Sequence, residues 1–159
     1  MPVPTSVTTR LQYQHKSLVE LIDGLSDEQI RKPVVAGKWS IFENIVHLAT
    51  YQHTFICRMK KILNENNPSF DRYVAESDPL FHDNVTKSTR EIMHDLLTIR
   101  KDLAAEVERF KEKDICRYGL HPLYGKMTLL QWLNFFLLHE AHHLFAIFKQ
   151  AAALRNHQS

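Results

Sequence analysis

"TLLQWLNFFLLHEAHHLFAIFKQAAALR", residues 128–155, decides how the rest of the chain is read. It opens on Thr128-Leu-Leu-Gln131, a capping box in which the threonine hydroxyl accepts the amide three residues on and the glutamine reaches back. No glycine or proline follows, and apolar residues fall on every side: Leu133, Phe135, Phe136, Leu137, Leu138, Leu144, Phe145, Ile147 and Phe148. A helix that is hydrophobic all round is normally covered all round. This one asks for more cover than one bundle provides, so a homodimer is expected. In its middle stands "HEAHH", residues 139–143.

Working outward, Ser40-Ile-Phe-Glu43 is another capping box and predicts a helix from there to about Leu63. From Ser88 to Lys111, Ile92, Leu96, Ile99, Leu103, Val107 and Phe110 keep a 3-4 spacing. Leu11, Leu18, Val19 and Ile22 do so between Thr5 and Leu25, with Gly24 near the stop and a short helical turn expected from Ser26 through Lys32. "NENNPSFDRYVAESDPLFHDN" (64–84) and "YGLHPLYGKM" (118–127) carry proline or glycine and little periodicity, and read as connections. No strand pattern competes. Residues 1–159 are expected to form a single all-α domain, a four-helix bundle whose two long connections permit more than an up-down-up-down meander.

Composition excludes several classes. The formal charge is +2 and the basic residues are scattered, which argues against nucleic acid. Arg58, Lys60 and Lys61 form the longest basic cluster and read as the solvated end of a helix. Cys57 and Cys116 stand far apart, outside any C-x-x-C pattern, as free thiols compatible with a reducing compartment. "MPVPTSVTTR" has no apolar signal region and no uncharged apolar run approaches the length of a membrane span. A cytoplasmic protein without a membrane segment is expected.

Ten histidines stand out against this background. At about 100° per residue, His139 and His143 lie roughly 40° apart on one helix face, a spacing that lets two imidazoles hold one ion. The competing reading is a pair of core histidines hydrogen-bonded to protein groups. His142 lies about 60° from His139 and about 100° from His143, outside such a pair, and reads as a helix or subunit contact. Glu140 reads equally as a carboxylate supporting the site, a catalytic base or a surface residue. H-E-x-x-H zinc proteases need a third ligand downstream, a glutamate or a histidine after a glycine. Beyond Glu140 no Asp, Glu or Gly occurs, and His157 belongs to the tail, so the protease reading fails.

A third ligand must therefore come from upstream. His47 shares a stripe with Glu43, Asn44, Tyr51, Thr54 and Arg58, off the apolar face of its helix. Periodicity alone makes it solvated, whereas a polar stripe beside a cleft suits a metal with an open position. His15 shares an apolar stripe with Leu11, Leu18 and Ile22; it reads first as a core residue and second as pocket wall. His53, His82 and His94 read as surface or loop residues, and His121 lies in a loop able to fold over the site.

"GKWSIFENIVHLATYQ" (37–52), followed by "HPLYGKMTLLQWLNFFLLHEAHHLFAI" (121–147), resembles the DinB/YfiT-like metalloenzyme family, in its DinB-like branch. The resemblance lies in the Trp39-Ser40 helix start, a histidine seven residues later and the H-x-x-x-H pair near the C-terminus. It implies a four-helix bundle with a long crossover and a divalent ion, zinc or nickel, held by His47, His139 and His143. It also implies a homodimer. The activity implied is a thiol-dependent S-transferase, using a low-molecular-weight thiol on an electrophile, or a metal-assisted hydrolase. A non-catalytic metal-binding or stress-related protein is the alternative. Glu43 and Tyr51, one turn either side of His47, are candidates to orient a ligand or move protons, with Glu140 a third. The family's frequent glutamine three residues after the last histidine is Ala146 here.

Overall fold

The structure is a computed structural model and describes residues 3–156; His157 lies outside them. Its long helices are α4 (Ile41–Asn64), α6 (Thr89–Val107) and α8 (Leu129–Asn156). A broken first segment consists of α1 (Thr5–Tyr13), a 3-10 turn over Gln14–Lys16 and α2 (Ser17–Ile22). Shorter helices α3 (Asp27–Arg31), α5 (Pro79–Val85) and α7 (Glu112–Ile115) lie in the connections. The capping boxes predicted at Ser40 and Thr128 form: Ser40 accepts the Glu43 amide at 3.1 Å, and Thr128 accepts that of Gln131 at 3.3 Å. No helix among the described residues is long and apolar enough to cross a membrane.

Three expectations need correction. The first helix is not continuous but breaks at Gln14–Lys16. The third stops at Val107, short of Lys111. The 118–127 connection is not a plain loop: β1 (Tyr118–His121) and β2 (Gly125–Thr128) pair antiparallel, Tyr118 opposite Thr128 and His121 opposite Gly125. Strands of four residues are too short to establish a period of two against a glycine- and proline-marked background. Gly125, at φ 68°, takes the left-handed conformation that closes the hairpin.

The buried apolar side chains form two clusters, and their membership gives the helix directions. One gathers Val7 and Leu11, Phe55 and Met59, Leu103 and Val107, and Trp132 and Leu133. The other gathers Leu18, Ile41 and Ile45, Ile92 and Leu96, and Leu144 and Ile147. The first segment and α8 therefore run from the first cluster to the second, and α4 and α6 run the opposite way. α4 packs against both α6 and α8, while α1 and α2 complete the ring between α6 and α8. Because neighbouring α4 and α6 are parallel, the chain between them must travel the length of the bundle. Residues 65–88 are that crossover.

Between the clusters lies a polar layer to which each long segment contributes. Arg100 of α6 pairs with Glu140 of α8: its Nη1 donates to Oε2 at 3.2 Å and its Nη2 to Oε1. Arg100 Nε donates to Gln52 Oε1 of α4 at 2.6 Å, and Gln14 Nε2 to Glu140 Oε2 at 2.9 Å. Arg100 and Glu140 are each 1% exposed. Glu140 is thus neither a surface residue nor a base beside the histidines, because both its oxygens are committed on another face of α8.

Arg100→Met should strand the Glu140 carboxylate in the core and lower unfolding free energy by about 3–5 kcal/mol, measured by urea denaturation. The double variant Arg100→Met/Glu140→Leu should lose less than the sum of the single changes. Strict additivity would show that the pair is not the coupled unit described here.

Candidate metal centre

The gap between α4 and α8, at the level of the polar layer, holds the histidines. Glu140 turned toward Arg100 fixes the rotation of α8, and His139 and His143 then face α4. His47, one turn after Asn44, meets them: its Nε2 lies 3.0 Å from His139 Nε2. Ring centroids are 4.9 Å apart for His47–His139, 4.4 Å for His47–His143 and 4.7 Å for His139–His143. One candidate ligand nitrogen from each residue lies within 4.8 Å of the other two.

These donors fit a divalent ion. Nitrogens bound to one zinc at about 2.0–2.1 Å stand roughly 3.3–3.4 Å from one another, so small side-chain adjustments, with the 3.0 Å His47–His139 pair opening slightly, bring the cluster to that spacing. His143 Nδ1 lies 2.9 Å from Asn44 Oδ1, an oxygen that can only accept, so Nδ1 carries the proton and Nε2 keeps its lone pair. Burial holds the three imidazoles at a pKa of about 3 instead of 6.5, with neighbouring histidine charge adding to the effect. They are neutral, as ligands must be.

His47 is 5% exposed, so the solvated reading of its polar stripe does not hold. The stripe faces a cavity of about 640 Å³ that also reaches His139 and His143. Tyr51 packs its ring 4.4 Å from that of His139, and burial raises its pKa, so it stays protonated as a hydrogen-bond donor. Trp39 covers the other side, 5.0 Å from His47 and 6.1 Å from His143. Tyr73, from the crossover, lies 5.8 Å from His47. The hairpin supplies His121, whose Nδ1 accepts the amides of Leu123 and Tyr124 at 3.1 Å each.

Other candidates fall elsewhere. Glu43 is spent on the helix start, its Oε2 accepting the Ser40 amide at 2.7 Å. Arg58 is no solvated helix end, being 9% exposed at the cavity wall. His15 is buried as first read, but it lines a separate cavity between the first segment and α6 and is no wall of this one. His142 is exposed, as are His53, His82 and His94. Ala146 is half-buried beside Trp39 and Asn44 in a neighbouring groove, and the hydrogen bond to His143 comes from Asn44 instead. Asn44 carried no assigned role in the sequence, although one turn before His47 is where a supporting group would sit. Tyr73 had no sequence signal, because only the path of the crossover brings it here.

The sequence model of the DinB superfamily matches residues 10–147. Over 141 residues the chain is 28% identical to the uncharacterized protein YuaE of Bacillus subtilis, covering 77% of this chain and 83% of that one. Over 128 residues it is 25% identical to a protein of Oceanobacillus iheyensis named "putative metal-dependent hydrolase", covering 80% and 73%. Among solved structures, YfiT of Bacillus subtilis is described as a probable metal-dependent hydrolase with an unusual four-helix bundle topology. It aligns with a TM-score of 0.81 at 22% identity, over 94% of this chain and 86% of that one. TT2238, a four-helix bundle protein, aligns at 0.65 and 21% identity, over 89% and 95%. Identities this low establish the shared bundle fold and no more.

The depressed histidine pKa values set a pH dependence. As pH falls below 6.5 the unfolded chain takes up protons that the folded one refuses until about 3. Stability is therefore full above 6.5 and is lost progressively as pH falls from there toward 3. Urea midpoints of the metal-free protein should drop between pH 7 and 4. His47→Gln and His139→Gln should flatten that slope, and a slope unchanged in both would contradict the buried neutral cluster.

Proposed function

The chain belongs to the DinB superfamily, and on that premise we propose that it is a divalent-metal-dependent hydrolase of small molecules. His47, His139 and His143 hold the ion, zinc or nickel. The observation that carries this reading is the convergence of three neutral imidazoles, from two helices, on the wall of an open cavity. A divalent ion held there supplies Lewis acidity and lowers the pKa of a water or thiol ligand toward neutrality. Asn44 orients His143. Trp39 and Tyr51 exclude water from the outer faces of the imidazoles, and the Tyr51 hydroxyl offers a proton to a developing negative charge. His121, neutral with Nδ1 occupied by backbone amides, presents Nε2–H as a second donor at the hairpin end.

Thiol-dependent S-transfer is the second reading, favoured by one observation. Among the described residues lining the cavity the sole carboxylate is Glu76, which is exposed, so no carboxylate base stands beside the histidines. A thiol that loses its proton on binding needs no such base. Turnover that requires an added low-molecular-weight thiol separates this reading from hydrolysis, and tight metal retention without turnover marks a non-catalytic binder.

A homodimer through the outer face of α8 completes the proposal. Leu138, Phe145 and Phe148 are 64%, 61% and 50% exposed there, which is uncommon for large apolar groups on one helix face. Light scattering should give twice the 18.7 kDa chain mass, and Leu138→Glu/Phe145→Glu should give monomers.

Elemental analysis of untagged protein, followed by an ester and thiol–electrophile screen, tests the site. His47→Ala, His139→Ala and His143→Ala should each abolish metal retention and turnover, and His142→Ala should leave metal content unchanged. Metal loss in His142→Ala but not in His143→Ala would overturn the ligand assignment.

A further inference from the structure

We propose that Arg58 is the anion-recognition residue of this cavity and that the molecule accepted is a small organic acid with an elongated apolar body. Its carboxylate sits at Arg58 and its other end at the histidines. The proposal rests on the reading of the cavity as the substrate site. Two arginines of this bundle are buried, and their surroundings differ. Arg100 has its charge paired by the Glu140 carboxylate and its Nε bonded to the Gln52 carbonyl. Arg58 is nine-tenths buried, and its partners are neutral: its Nη2 donates to the Asp71 carbonyl at 2.7 Å and its guanidinium also hydrogen-bonds the Tyr51 hydroxyl, while no carboxylate lies within ion-pair range of it among the described residues. A guanidinium has five donor hydrogens, and burying its charge is costly without an anionic partner. The unmet demand faces a cavity.

The position of Arg58 suits the role. It is held by the crossover and by α8, its guanidinium carbon over the rings of Phe70 and Trp132 at 5.5 and 5.7 Å from their centroids. Its charge opposes the burial-raised pKa of Tyr51, which it also hydrogen-bonds, and that of Tyr73, and it adds to the burial that lowers that of His121. His47 and Arg58 are eleven residues apart on α4, which returns them to nearly the same face about 16 Å apart along the axis. Helical side chains lean toward the N-terminus, so the guanidinium reaches back toward the histidines. The walls between are Tyr51, Tyr73, Tyr124 and Phe135, which suit an apolar body. At the rim Arg72 and Glu76, both exposed, carry opposite charges, which leaves Arg58 as the buried charge that selects.

The test is calorimetric titration of the protein, metal-free and zinc-loaded, with 4-phenylbutanoate and its neutral isostere 4-phenylbutanamide. Wild type should bind the carboxylate about tenfold or more tightly than the amide in both forms, the range of a charge-assisted hydrogen bond to a buried ion. Arg58→Gln should abolish the preference, and Arg58→Lys should keep part of it. Equal affinities in wild type, no binding of either compound, or a preference that survives in folded Arg58→Gln would overturn the proposal. Should Arg58→Gln fail to fold, the wild-type comparison decides alone. A carboxylate preference in a protein that takes up no zinc supports the role of Arg58 while removing the metal-dependent reading. Zinc retained by the three histidines without a carboxylate preference removes the role of Arg58 alone.

Discussion

The buried pair of Arg100 and Glu140, completed by Gln14 and Gln52, is the constraint on which the rest of the structure depends. Each long segment of the bundle contributes one member, and the two apolar cores lie on either side of the layer. Apolar contacts alone tolerate sliding and rotation of one helix on another. A desolvated ion pair does not, because a small displacement leaves charge unpaired in a low-dielectric interior. Glu140 follows His139 directly, so the rotation that satisfies the carboxylate also aims His139 and His143 at α4. The histidine cluster is a consequence of where the polar layer points.

The crossover follows from helix direction. Parallel α4 and α6 require the chain to return along the bundle, and that return passes over the gap between α4 and α8. Residues that connect helices thereby become wall, with Tyr73 beside His47 and Phe70 against Arg58. The hairpin closes the remaining side and is tied to the crossover by backbone bonds, Phe70 N–H to Leu120 O at 3.1 Å and Leu120 N–H to Pro68 O at 2.8 Å. Gly119 makes this junction possible: a side-chain carbon there would stand 2.7 Å from the Phe70 ring. Both walls of the cavity are thus one connected unit docked on α4.

Within that enclosure desolvation acts in two ways. It keeps three imidazoles neutral, which suits them to a cation, and it leaves the Arg58 guanidinium short of an anion. The two sites lie on one face of one helix, separated by Tyr51. A molecule that satisfies both would be anionic at one end and reactive at the other, and among the described residues the other charged groups lining the cavity are the exposed Arg72 and Glu76.

What the sequence by itself determined were features of local spacing. The capping boxes at Ser40 and Thr128, the apolar stripes, and the pairing of His139 with His143 all depend on residues within one or two helical turns, where backbone geometry leaves little choice. With the family resemblance, this extended to the bundle and to His47. What only the tertiary structure decided were features of long-range partnership. Periodicity assigned His47 and Arg58 to solvent, because the crossover that buries them has no periodic pattern of its own. Glu140 read equally well as base or surface residue until Arg100, forty positions away, met it. The hairpin leaves no mark in the local sequence pattern, because four-residue strands owe their existence to the partner across the turn. Local sequence fixes which face a side chain occupies, but only packing fixes what stands opposite that face, and charge and burial are settled there.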